Sequence, residues 1–193
     1  MLSSIHPLGE RARHNRWGVT VTGFTLGALI SGASVGFVLG TAGSILSAGP
    51  RALLVATAAV ALAAGALDFA GVRTPGPTRQ VNETWIGTLR GWVYGGGFGL
   101  ELGVGFLTYV VTWGVYAMLV SASLTASPLA AALVGATFGL GRSLSVLAAG
   151  YVDRPSRLTS FNRALANAGP MVRRASSVAF AALGMVALTG GLL

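Results

Sequence analysis

The sequence predicts an all-α membrane protein of about five transmembrane helices, with its N-terminus cytoplasmic and its C-terminus outside. Three observations carry that prediction. Of the 193 residues, 53% are hydrophobic and 9% are charged, whereas a soluble domain carries about 25% charged residues to keep its surface hydrated. Five stretches reach the roughly 20 mainly apolar residues that a hydrocarbon layer about 30 Å thick demands. The Arg residues also alternate, crowding into every second connection between those stretches.

The first span runs from about Trp17 to Leu46, after a basic segment that holds Arg11, Arg13 and Arg16. Its length, and the lack of a small-residue cleavage site, mark it as a true span rather than a cleaved signal. The second, Ala52 to Val72, opens just after Gly49-Pro50, because proline suits the first position of a helix. The third runs from Gly91 to Val120, the fourth from Leu129 to Tyr151 after Ser127-Pro128, and the fifth from Ala175 to Leu193. Eleven of the thirteen Arg fall in the N-terminal segment and in the second and fourth connections, against Arg51 alone on the other side. That asymmetry sets the orientation. Trp92 and Trp113 lie twenty-one positions apart in span three, about 31 Å along a helix, so they are expected to mark the two edges of the bilayer.

Two connections hold more than loop. Leu158, Phe161 and Leu165 recur at helical spacing with Arg157 and Arg163 between them, which predicts an interfacial helix over about 155–168 that ends at Gly169-Pro170. Val81, Trp85 and Leu89 suggest a shorter version of the same device. Shifting the chain by 78 positions lays Gly49-Pro50 on Ser127-Pro128. The whole chain, 1–193, is thus expected to be one transmembrane domain. Within it lie two parallel helical-hairpin repeats, about 1–72 and 79–152, and a last helix of about 175–193.

Glycine is 29 of the 193 residues and falls in lines. Gly32, Gly36 and Gly40 repeat every fourth residue in span one, as do Gly87, Gly91, Gly95, Gly99 and Gly103 in span three and Gly135 and Gly139 in span four. Such spacing clears one face of a helix and lets backbones approach closely.

Several chemistries are excluded or left without a basis. There is no cysteine, hence no disulfide and no thiolate metal or redox centre. His6 and His14 lack a ligand set, so no metal and no cofactor is expected. No nucleophile has a base beside it, and the chain is not expected to be an enzyme. The formal charge of +8 is spread over short basic segments suited to anionic lipid, so the bilayer is the expected partner and nucleic acid is not.

Glu101 and Arg142 fall deep inside spans three and four, each nine positions from an aromatic residue, Trp92 and Tyr151 respectively. A charge at that depth is costly unless paired, and the matched depth predicts a buried ion pair. Tyr94, Glu101, Thr108 and Thr112 share one face of span three and form a polar seam, so Glu101, Arg142, Thr108 and Tyr94 are the candidate substrate-binding residues.

A Gly-rich span opening each half, basic cytoplasmic segments and a duplicated helical unit resemble small polytopic membrane proteins of the CcdA/DsbD and LysE type. In the CcdA/DsbD group a cysteine in each half relays electrons. Here the resemblance implies a cysteine-less relative that moves a solute or has kept only the scaffold. The leading expectation is a transport-type protein of the inner (plasma) membrane, multi-pass, that handles a small solute or proton at the seam, as a homo-oligomer or with a partner membrane protein. The alternative from another class is a non-catalytic membrane subunit or assembly factor of a larger complex.

Overall fold

The computed structural model describes residues 5–45, 48–77 and 84–192. Among the described residues it is all-helical. The helices are α1 (Pro7–Ala12), α2 (Trp17–Gly43), α3 (Pro50–Phe69), α4 (Trp85–Thr88), α5 (Gly91–Val104), α6 (Gly114–Leu124), α7 (Pro128–Leu147), a 3-10 turn (Ala148–Tyr151) and α8 (Pro155–Leu192). Four of them are long and apolar enough to cross a membrane: Trp17–Gly43, Pro50–Phe69, Pro128–Tyr151 and Pro155–Gly190. Proline opens α1, α3, α7 and α8, where its missing N–H costs nothing and its fixed φ suits the turn.

Span three departs from expectation, because it is not one helix. It stops at Gly105, whose φ of +90° only glycine adopts without strain, and resumes as α6 at Gly114. The intervening chain carries Thr108, Val110, Val111 and Thr112, β-branched residues that lose χ1 freedom in a helix. The two-edged reading of Trp92 and Trp113 fails with it. The Trp113 indole N–H donates to Val72 O at 3.0 Å, so Trp113 is fixed beside the end of α3. The expected interfacial helix over 155–168 also fails to end at Gly169-Pro170. Helix α8 continues through Pro170, since an interior proline removes one backbone bond and long apolar helices absorb that loss. Of the second short device, α4 is a single turn at Trp85–Thr88, and Val81 lies outside the described residues.

The chain divides into two compact units, the first from residues 1–32, 77–109 and 136–168, the second from 33–76, 110–135 and 169–193. In the first, α5 runs along α2 in the same direction. A Cβ on Gly91 would lie 2.6 Å from Thr20 Oγ1, and one on Gly99 would collide with the Phe24 carbonyl. Gly103 meets Ala28 and Ser31, and Gly139 of α7 meets Ala28. Such close seams let Phe24, Tyr94, Phe98 and Val146 close a core with Ile5, Val21 and Leu102. Trp85 stacks on Phe98, ring centroids 5.9 Å apart. Gly87 has open space around it and takes no part in its expected line.

In the second unit, α8 runs antiparallel to α3: Gly65 faces Ser177 O and Gly184 faces Ala58 and Leu62. Gly36 and Gly40 of α2 face Ala131 and Ser127 at the start of α7, and Gly43 faces Ser123 of α6. Bulky apolar side chains point outward on the long helices, among them Ile30 and Val38 on α2, Leu129 and Leu133 on α7, and Val178 and Val186 on α8. In water that surface would be costly, and in lipid it is solvated.

Candidate functional site

The first polar cluster lies in the first unit and centres on Glu10, which has no solvent exposure. Helix α1 places it. His6 caps that helix, its Nδ1 accepting from Gly9 N at 3.0 Å, and Pro7 occupies the first turn. Burial, reinforced by the Arg13 charge and opposed by Glu10, lowers the His6 pKa, which keeps the ring in the neutral form that can accept this bond. One carboxylate oxygen of Glu10 takes the Arg13 guanidinium at 2.6 Å and the Tyr94 hydroxyl in a short hydrogen bond, and the other takes Thr20 Oγ1 at 2.8 Å. Despite a desolvation cost, the hydrogen bond and charge of Glu10 raise the Arg13 pKa. Every partner is charged or donates directly, which is how a buried carboxylate becomes tolerable.

The second set lies on α5 and α7 in the same unit. Arg142 does not pair with Glu101. Its Nη1 donates to Gly105 O at 3.1 Å, and its guanidinium lies 5.4 Å from the Phe138 ring centroid. The reason is the break in span three. A helix end exposes unpaired carbonyls and a partial negative charge, and α5 ends within reach of Arg142. Glu101 is half-buried and forms no ion pair or side-chain hydrogen bond among the described residues. Thr108 is buried, and its hydroxyl has no partner among the described residues.

The third set lies in the second unit. Asp68 is 3% exposed. One of its oxygens accepts from Trp113 N at 2.9 Å and the other from Ser176 Oγ at 3.0 Å. Trp113 is the N-cap of α6, so the carboxylate serves the positive end of that helix. Thr74 Oγ1 donates to Val110 O at 2.7 Å, and the Tyr116 hydroxyl donates to Pro75 O, tying the chain after α3 to the start of α6.

Of the four residues expected to bind substrate, Tyr94 is therefore committed to Glu10 and Arg142 to a helix terminus, while the polar groups of Glu101 and Thr108 meet no side-chain partner among the described residues. Glu10, Asp68, Thr20 and Ser176 lie outside the four residues that the sequence singles out. A signal for Glu10 did exist: it is the one acidic residue of a basic segment, set three positions before Arg13 and four after His6.

Long apolar helices, glycine seams and ionised side chains spent on helix ends define a helical membrane protein. No protein-family model matches the chain, and no solved structure matches it. Curated proteins do. The methylamine utilization protein MauF of Paracoccus versutus is 36% identical over 151 residues, covering 75% of this chain and 55% of that protein. The protein of the same name from Paracoccus denitrificans is 40% identical over 126 residues, 64% of this chain and 45% of that one. That of Methylorubrum extorquens is 36% identical over 126 residues, 63% and 43%. The chain spans about half the length of the curated relatives it matches. These relatives overturn the resemblance to CcdA/DsbD and LysE type proteins, which rested on span layout and no shared motif. They also lend no support to transport.

Proposed function

We propose that the chain is a non-catalytic accessory protein of the inner (plasma) membrane that serves methylamine utilization together with a partner protein, as a subunit or assembly factor. The observation that carries this reading is the similarity to three proteins named for methylamine utilization, which in the first case extends over 75% of the chain. The polar geometry supports it. Glu10, Asp68 and Arg142 are bound to groups of the chain itself, as in a scaffold that holds its own helices. On this reading Tyr94 and Arg142 are structural posts, and Glu101 and Thr108 are the seam residues left to meet a polar group of a bound molecule. No cofactor is required. The eleven clustered Arg favour a cytoplasmic N-terminus.

Deleting the gene from its host should abolish growth on methylamine as sole nitrogen source and leave growth on ammonium intact. The tagged chain should bring down a stoichiometric partner from mild detergent. Undiminished growth on methylamine would overturn the reading.

A further inference from the structure

We propose that an Arg-lined cleft at the N-terminal end of α2 binds a phosphate-bearing anion. The cleft belongs to the first unit and has a volume of about 600 Å³. Arg11, Asn15, Arg16, Tyr151, Asp153 and Arg157 line it, with Trp17 as part of its wall. Three arginines and one aspartate line it, and the aspartate is ion-paired with one of the three. Asp153 Oδ1 lies 3.1 Å from Arg157 Nη1, which also donates to Tyr151 O at 3.1 Å. Arg11 and Arg16 have no side-chain partner among the described residues. Arg13, between them in sequence, is turned instead to Glu10.

Two cationic charges are thus left unneutralised around one concavity, an arrangement that a bound anion relieves. The walls are fixed. Leu8 N donates to Val152 O at 3.2 Å, Tyr151 meets Phe161 edge-on with centroids 5.8 Å apart, and the Trp17 ring lies so close to Gly150 that a Cβ there would approach it to 2.9 Å.

The chemistry of the lining selects phosphate. Guanidinium forks match tetrahedral phosphate oxygens two at a time, and the Asn15 amide and Tyr151 hydroxyl add neutral donors. The volume falls in the range of about 300–1,000 Å³ typical of small-molecule sites, larger than a bare ion needs. The position selects it too. The cleft lies where a polar segment meets the first apolar helix, at a tryptophan, and phosphate headgroups occupy that level of a bilayer. Phosphatidylglycerol or free phosphate would both satisfy the lining.

The full chain in detergent is offered phosphatidylglycerol against phosphatidylcholine, and separately inorganic phosphate, with lipid retention read by native mass spectrometry and phosphate binding by the shift in unfolding temperature. The variant Arg11→Gln with Arg16→Gln breaks no side-chain hydrogen bond among the described residues. Arg73→Gln with Arg174→Gln removes the same charge from exposed positions elsewhere. Losing two interfacial charges should weaken binding about twenty-fivefold, at about fivefold each, in the first variant and not in the second. Selective retention of phosphatidylglycerol identifies a lipid headgroup as the source. A phosphate-induced shift without lipid selectivity identifies free phosphate. Equal losses in both variants, or no binding of either probe, would overturn the proposal.

Discussion

Tyr94 and Glu10 lie 84 positions apart and meet in a short hydrogen bond, which makes this contact the polar rivet of the first unit. Its worth follows from what each group would otherwise face. The Glu10 carboxylate is wholly buried, so each donor removed leaves an oxygen lone pair without water to replace it. A hydrogen bond to a charged group contributes about 1.5–3 kcal/mol. Tyr94→Phe keeps the ring in its packing against Phe98, at a centroid distance of 5.8 Å, and removes the hydroxyl alone. Unfolding of the detergent-solubilised variant should show a loss of about 2 kcal/mol, and adding Glu10→Gln should cost less than the two single changes together. Strict additivity would mean that the two groups do not act as a pair. Asp68 and Arg142 follow the same logic at helix termini, where an anion suits the N-terminal end and a cation the C-terminal end.

Among the elements, glycine placement decides which helices touch, and α7 offers an internal comparison. A Cβ on Gly139 would collide with the Ala28 carbonyl, while Gly141, two residues on, has nothing within 4 Å. Gly141→Ala should therefore stabilise by about 0.5–1 kcal/mol, because alanine gives up less backbone entropy than glycine in a helix. Gly139→Ala should destabilise by about 1–3 kcal/mol by forcing α7 off α2. Thermal unfolding in one detergent reads both, and equal signs would contradict the seam. The lines of Gly91–Gly103 and Gly36–Gly40 were legible because four-residue spacing is a direct statement about one helix face. The break at Gly105 was not, since hydropathy continues across it and composition cannot show where Thr108 to Thr112 leave the helix. The partners of Arg142 and Asp68 were hidden for the same reason. Both charges bind helix ends that exist because span three is interrupted, and a depth argument that assumes one continuous helix has no such ends to offer.

For the molecule as a whole, the interruption raises the question of how many times the chain crosses the bilayer. Gly91, which opens α5, lies by Thr20 and Asn15, and Ser123 near the end of α6 lies by Gly43. On α7, Ala131 lies by Gly36 and Gly139 by Ala28, and Gly150 of the 3-10 turn lies by Trp17. The alternation of Arg between connections predicts that the interrupted segment, two short helices and the stretch between them, counts as one crossing. Its freed backbone groups are carried because Arg142 and Asp68 meet them. Three crossings then separate Ala48, just before α3, from Ser156, at the start of α8. The absence of native cysteine makes the test clean, and both positions are exposed. In intact spheroplasts a membrane-impermeant maleimide should label Ala48→Cys and spare Ser156→Cys, and inverted vesicles should give the opposite pattern. Labelling of both from one side would mean that α5 and α6 dip into the bilayer and return, leaving only the four long helices to span it.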